Sequence, residues 1–330
     1  MTILVGETKL IGKTGVYDLP AEQYHADPCK VPSLSRSIAH LLLTSTARRA
    51  WKSHPRLNPN YRPTQAKHFD IGAAAHSLML RDGGDIKIVR SPNYKGFAAQ
   101  RARDMARGAG LIPILQGDFD EADRMVNAGR VQLTNHENAW AAFSDGGKPE
   151  QTLIWSERVD GVLVYCRAML DWLPKSTGGW LDDFKTSAVT SEPEAWAARC
   201  LYPEGLDLQA AMYCRGYKAV FGVPPAGFRF IVQSIEDPYE LSTVVMERGD
   251  LDLAMRRVEK ALEIWAWCMK HKKWGGHPAR DCYVMRPAWR EKSWIEREDR
   301  EQLATNDGTD LRALMNDWQA PLDRPKRSKA

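Results

Sequence analysis

Residues 162–187 read VLVYCRAMLDWLPKSTGGWLDDFKTS, and this stretch decides the fold. Its β-branched and aromatic runs spell two strands, VLVYCRAMLDWL and GWLDDFKT, joined by a turn over Pro174–Gly179. One strand earlier, TLIWSE is joined to VLVYCRAMLDWL by a turn at Arg158–Gly161, so Leu153 to Lys185 is expected to form a three-strand meander. Asp171 stands near the end of one strand, and Asp183-Phe184-Lys185 near the end of the next. Strand side chains alternate faces, which puts Asp183 and Lys185 on one side and Asp182, with Trp180 and Phe184, on the other.

Working outward, helices flank this core. Residues 31–54 are predicted helical, with Ser35 as N-cap and Ile38, Leu41 and Leu42 as an apolar stripe. Residues 55–68 read as a loop, 70–80 (DIGAAAHSLML) as a helix rich in small residues, and 117–144 as two further helices. Downstream, a helix over about 191–202 carries a capping box, Ser191 with Glu194. Another spans 206–221 and stops at Gly222 before Pro224 and Pro225. Strands FRFIVQSIE and LSTVVMER follow. A long helix comes next, with Leu251, Met255, Val258, Leu262, Trp265 and Met269 on one stripe, which reads as core packing. The expected organisation is α/β: one domain over 1–315, helical to about 145 with a sheet core over about 146–290, then a basic disordered tail, 316–330.

Bulk properties exclude little. The 330 residues are 43% hydrophobic and 27% charged, with a net charge of +4, which neither demands nor forbids a nucleic-acid partner. The cysteines, at 29, 166, 200, 214, 268 and 282, include no C-x₂-C or C-x₄-C pair, so a zinc or iron–sulfur centre lacks its usual scaffold. The opening MTILVGETKLIGKTG has no apolar core of a secretory leader, and no apolar run is long enough for a membrane span. These features lead to the expectation of a cytoplasmic protein with reduced thiols and no membrane partner.

Two carboxylates beside a lysine make a compact site of hard oxygen donors, suited to Mg²⁺ with waters and a substrate phosphate completing its shell. Aspartates about 4 Å apart repel by roughly 4 kcal/mol at an effective dielectric of 20, which a bound cation or a raised pKa relieves. Lys185 would then sit where its charge orients an attacking water. Taken alone, D-x₁₁-D-x-K also fits the solvated ends of a hairpin. Gln209 and Tyr213, at i, i+4 on one helix face, and His76, in a helix whose Gly72–Ala75 run permits close approach, likewise have ordinary structural readings.

Taken in order, G-x₃-H, D, D-x-K and Q-x₃-Y resemble the RecE-type (exodeoxyribonuclease VIII-like) branch of the PD-(D/E)xK nucleases, related to lambda exonuclease and the RecB nuclease domain. The blocks YHADP…VPSLSRS, IGAAAHSLML, YCRAMLDWLP, LDDFKTS and DLQAAMYCRGYKAVFG extend the resemblance over roughly 17–290. It implies a restriction-endonuclease-like mixed sheet flanked by helices. It further implies that His76, Asp171, Asp183 and the carbonyl of Phe184 ligate Mg²⁺ (or Mn²⁺), that Lys185 is the catalytic lysine, and that Gln209 and Tyr213 position the site. Glu150 resembles an acidic residue some members add, with Glu157 as the neighbouring alternative. Met169-Leu170-Asp171 departs from relatives that place a proline before the aspartate.

The activity so implied is digestion of linear double-stranded DNA from its 5′ ends, leaving 3′ overhangs for a RecT-like annealing protein. A trimeric or tetrameric ring-shaped homo-oligomer is implied with it. The rivals are an endonuclease or single-strand nuclease of the same superfamily, or a non-catalytic DNA-binding assembly protein; the joint presence of Asp171, Asp183 and Lys185 argues against the last. Arg167 shares strand parity with Asp171 and reads either as a phosphate contact in the same cleft or as an exposed strand arginine. Of the basic runs Arg48-Arg49, Arg101/Arg103/Arg107 and Lys326-Arg327, the middle one is the expected DNA contact.

Overall fold

The chain opens with a short strand, β1 (Gly15–Tyr17), and three small helices, α1 (Ala21–His25), α2 (Arg36–Thr44) and α3 (Ala47–Lys52). The single helix expected over 31–54 is therefore broken. Ser35 does occupy the N-cap position of α2, but its hydroxyl meets Ser37 at 3.2 Å and caps no backbone N–H. Ser45 leaves the helical region, and the Thr46 hydroxyl accepts from Arg49 N–H to start α3 afresh. This computed structural model describes residues 10–62, 70–81, 83 and 85–306. The basic tail expected at 316–330, with Lys326 and Arg327, lies outside the described residues, as does most of the opening MTILVGETKLIGKTG.

Next come α4 (Asp70–Arg81), β2 (Ile86–Val89), α5 (Phe97–Gly108), β3 (Ile112–Leu115) and α6 (Gln116–Thr134). Strands β2 and β3 pair in parallel, a small sheet the sequence reading lacks, and 117–144 holds one helix followed by turns rather than two helices. Four-residue strands carry too little alternation to stand out from their helical surroundings.

Strands β4 (Lys148–Val159) and β5 (Val162–Leu173) form an antiparallel hairpin whose turn residues, Asp160 and Gly161, both have positive φ. The meander stops there. Strand β6 (Trp180–Ser187) lies beside β5 without a shared ladder, and pairs in parallel with β7 (Gly227–Ser234). Strand β8 (Leu241–Val245) closes this sheet antiparallel to β7, while β1 extends the other in the order β1-β4-β5. Phe228, Phe230, Ile231 and Val232 of β7 are all buried, as befits a central strand covered on both faces.

The crossover from β6 to β7 carries α7 (Pro193–Trp196), a π turn over Ala197–Leu201, and α8 (Leu206–Phe221). Glu192, not Ser191, caps α7, accepting from the N–H groups of Glu194 and Ala195. Gly205 starts α8 in the left-handed region, where a side chain would strike the ring of His40. The long amphipathic helix is α9 (Arg248–His271). Helices α2, α8 and α9 pack on one side of the strands, and α4 and α6 on the other.

The chain divides into two compact units, Met1–Gly276 and His277–Ala330, where the sequence reading treats 1–315 as one domain. The second unit contains α10 (Ala288–Asn306), a helix not read from the sequence. No helix among the described residues is long and apolar enough to cross a membrane.

Candidate active site

On β6 the side chains alternate. Leu181 packs with the α8 side, and Phe184 is buried with α4 and α6 on the other. Asp183 and Lys185 share the α8 side, where the Lys185 ammonium pairs with Asp183 Oδ2. Asp182 points the opposite way and accepts from Arg229 Nε at 2.7 Å, while that guanidinium lies over Trp180.

Asp171 reaches the same place from β5. Its Oδ2 accepts the Phe184 N–H at 2.9 Å, so a side chain replaces the missing ladder between the two sheets. The N–H and C=O of one strand residue leave on the same side, so the Phe184 carbonyl is also aimed toward β5. His76 arrives on α4, with Nε2 3.1 Å from Asp171 Oδ2. Gly72 permits this approach: a Cβ there would meet Thr186 Oγ1 of β6 at 3.2 Å.

Glu150 joins the cluster through an irregularity in β4. It sits opposite Asp171 where the β4–β5 ladder is interrupted, with φ at +47°. Its carboxylate lies 3.7 Å from His76 Nδ1 and 2.5 Å from Arg81. Glu157, the neighbouring alternative, is bound instead to Arg215 and Trp155 Nε1. From α8, Gln209 Nε2 donates to Asp183 Oδ1, and its Oε1 accepts from Arg36 at 3.2 Å. Tyr213 lies one turn on and lines the same cleft. Sequence reasoning missed Arg36 and Arg81. Arg36 directly follows the predicted N-cap Ser35, a position from which a side chain can reach a neighbouring helix, whereas nothing in the sequence singles out Arg81.

The electrostatics divide the two aspartates. Burial and the nearby charge of Asp171 push Asp183 up to about 6, against the pull of Lys185. Asp171 is also buried, yet His76, Lys185 and the Phe184 N–H hold it below its ordinary value. Burial works against the charge on His76 and Lys185, but their aspartate partners outweigh it and raise both. Burial keeps the Tyr213 phenol protonated.

Asp183 Oδ2 is buried with no partner in hydrogen-bond geometry, its neighbour being the Lys185 ammonium. Among the described residues no three His, Cys, Asp or Glu side chains yet converge tightly enough to enclose an ion, since His76 is turned onto Asp171. The donor set nevertheless fits a hard divalent cation: two carboxylates, one with an unused lone pair and a raised pKa, beside a carbonyl aimed the same way.

The remaining candidates are differently placed: Arg167 lines the same cavity as Asp171 and Lys185, whereas Arg101 and Arg103 do not. Arg167 does share the Asp171 face, but residues 24–33 cross over it. It is 3% exposed, donates to Tyr24 O and Ser33, and pairs with Asp27 at 3.2 Å. Its guanidinium is engaged by the protein, not offered to a phosphate. Arg101 is exposed on α5, and Arg103 pairs with Asp104 and stacks on Tyr94.

Residues 49–287 match the family described as "PDDEXK-like domain of unknown function (DUF3799)", and the chain belongs to that family. The membership carries a restriction-endonuclease-like fold, in keeping with the mixed α/β core. Among solved structures, one described as a "putative exonuclease" from Eubacterium rectale is similar at 12% identity with a TM-score of 0.50, covering 82% of this chain and 96% of that one. At that identity the likeness concerns the fold. The structure of SSO0001 is similar at 11% identity with a TM-score of 0.25, over 61% of this chain and 87% of that one. No curated protein matches the sequence.

Proposed function

We propose that this chain is a divalent-metal-dependent nuclease, hydrolysing phosphodiester bonds at the cluster of Asp171, Asp183 and Lys185. The observation that carries the reading is the unused lone pair of Asp183 Oδ2, in a carboxyl pushed up by its neighbour and faced by a lysine. Family membership and the solved exonuclease-like fold support the reaction class. In finer detail we read a RecE-type exodeoxyribonuclease that digests linear double-stranded DNA from 5′ ends, leaving 3′ overhangs for a RecT-like annealing partner. A ring-shaped homo-oligomer belongs to the same reading.

A bound Mg²⁺ or Mn²⁺ would polarise the phosphate and lower the pKa of an attacking water. Asp171, Asp183 and the Phe184 carbonyl would hold it, joined by His76 once released from Asp171, with Glu150 alongside. Lys185, whose charge both aspartates favour in the metal-free site, would orient the water or the phosphate oxygen. Gln209 fixes Asp183 through its amide, and Arg36 fixes Gln209. The protonated Tyr213 offers a hydroxyl to the same cleft.

The test is a linear duplex labelled separately at each 5′ and 3′ end, beside a closed circle, with Mg²⁺ and with excess EDTA. The expected result is early release of the 5′ label, an intact circle and no reaction in EDTA. Cutting of the circle would replace exonuclease by endonuclease, and activity surviving EDTA would end the metal-dependent reading.

A further inference from the structure

The catalytic cleft does not end at the carboxylates. A cavity of about 380 Å³ holds Asp171, Lys185, Gln209 and Tyr213 in its wall, and its outer wall is the start of α2. A second cavity, of about 860 Å³, lies along α3. Four residues, Ser37, Ile38, Ser53 and Tyr61, line both, so the two cavities adjoin along one face of the protein.

The charge along this groove is graded. At the catalytic end one carboxylate, Asp171, stands among Lys185, Arg36 and Arg167, the last already paired with Asp27. The α3 end is lined by Arg48, Arg49, Lys52 and Arg62 and, among the described residues, by no aspartate or glutamate. All four cations are exposed, and none has an acidic partner within 4.0 Å among the described residues. Four like charges with no acidic partner around one concavity make a favourable surface for a polyanion. Asn58 and Asn60 add amide groups beside them, and the Tyr61 ring stands at the junction of the two cavities.

We propose that this groove is the track for a single strand of nucleic acid. Its phosphodiester backbone would run over Arg48, Arg49, Lys52 and Arg62, with a base against Tyr61, and one end would enter the catalytic cleft. The proposal rests on the nuclease reading for the identity of the ligand, but the groove itself is defined by geometry and charge. A flexible polyanion follows a bent, cation-lined concavity, and an aromatic ring at the bend accepts any base by stacking. Adjacency to the cleft selects a polymeric ligand: a phosphate at Lys185 and further phosphates along α3 would belong to one chain. Of the basic runs in the sequence, Arg48-Arg49 is the one that lines this groove; Arg101, Arg103 and Arg107 lie outside both cavities.

The experiment uses the full chain carrying Asp183→Asn, so that the probe survives, and a labelled single-stranded DNA oligonucleotide read by fluorescence anisotropy across salt concentrations. Each backbone contact on a single strand contributes about 0.7 to the slope of log affinity against log salt, so four contribute about 2.8. That share makes affinity fall about 50-fold between roughly 50 and 200 mM salt. Replacing Arg48, Arg49, Lys52 and Arg62 by Gln should remove it. A matched variant with exposed Arg158, Arg199, Lys218 and Arg256 replaced by Gln loses the same charge outside both cavities and should keep the parental slope. An independent check needs no groove variant: an oligonucleotide bearing 5-iodouracil should cross-link to Tyr61 on irradiation.

Equal slopes for parent and groove variant, equal losses in both variants, or cross-links confined away from Tyr61 would each overturn the proposal. So would stronger groove-dependent binding to vesicles of anionic phospholipid than to the oligonucleotide. A native chain that binds through Arg48, Arg49, Lys52 and Arg62 yet cuts no diester would overturn the nuclease reading and leave the groove standing.

Discussion

Two buried clusters in this protein are built from the same ingredients and behave in opposite ways. In one, Asp27 is enclosed by Arg167, His54 and Ser33; in the other, Asp183 is enclosed by Lys185, Asp171 and Gln209. Asp27 accepts from Cys29 N–H, from Ser33 N–H at 2.9 Å and from the Ser33 hydroxyl at 2.7 Å, with Arg167 at 3.2 Å. His54 accepts the Arg56 N–H on Nδ1, which leaves Nε2 to donate toward Ser33 O and Asp27. Burial alone would raise the Asp27 carboxyl, but these partners pull it down to about 2. Asp183 goes the other way, to about 6, because burial and the neighbouring Asp171 carboxylate together outweigh the pull of Lys185. A fully satisfied charge ties the segment around residue 27 to β5. The under-satisfied one is where the proposed cation would bind.

The contrast is broken most directly at β6. Asp183→Asn should lower the rate of DNA hydrolysis on the order of 10³-fold or more, the scale of removing an electrostatic stabiliser. Asp182→Asn should stay within about tenfold in rate, its cost falling on stability through the loosened Arg229 pair. Single-turnover rates beside melting temperatures separate the two effects. A dead Asp182→Asn beside an active Asp183→Asn would reverse the facing of the strand.

At the other cluster the expectation inverts. Asp27→Asn should cost about 3 kcal/mol of stability, as when one partner of a buried pair is removed. Asparagine tolerates the left-handed backbone that Asp27 adopts at φ +65°, so only the charge is lost. The pH dependence follows. The folded carboxyl is depressed from 3.8 to about 2, so its contribution, about 2.4 kcal/mol, is complete above 3.8 and vanishes as pH falls toward 2. Denaturant titrations over that range should show this loss in the native chain and not in Asp27→Asn.

His76→Ala should weaken Mg²⁺ binding about 10-fold or more, since a proposed ligand is lost, while leaving the chain folded in the absence of metal. Calorimetric titration and a melt give the two numbers; an unfolded variant would return His76 to an ordinary core role.

The smallest effect is a shift in melting temperature. The raised Asp183 carboxyl means that the metal-free fold loses stability as pH rises from 3.8 toward about 6. Mg²⁺ competes with that proton, so its stabilisation should be larger at about pH 7.5 than at about pH 5. Equal gains at both would unlink the cation from Asp183.

Much of the site was legible because strand alternation and helix spacing are local. Asp183 and Lys185 on one face, Asp182 on the other, and Gln209 with Tyr213 along one helix all follow from counting residues. The pieces that failed depend on distant chain. Nothing near Arg167 announces that residues 24–33 will pass over it, although its strand parity with Asp171 was read correctly. Nor does the run from Leu153 to Lys185 reveal that β6 abandons β5 for a parallel partner some 45 residues later, Trp180 pairing with Gly227. The short strands β2 and β3 went unread because four residues hold barely one alternation each.

That abandoned ladder gives Asp171 a second duty. Its carboxylate receives the Phe184 N–H that a neighbouring strand would otherwise have taken, so it is mortar between two sheets as well as a candidate ligand. A lineage drifting away from chemistry would not shed Lys185 freely either, since its ammonium is the partner of the buried Asp183 carboxylate. Dropping Asp171 would strand an amide in the seam, at a cost of about 1–3 kcal/mol. Even a descendant without any chemistry would thus have reason to keep this aspartate, still cementing the wall between its two sheets.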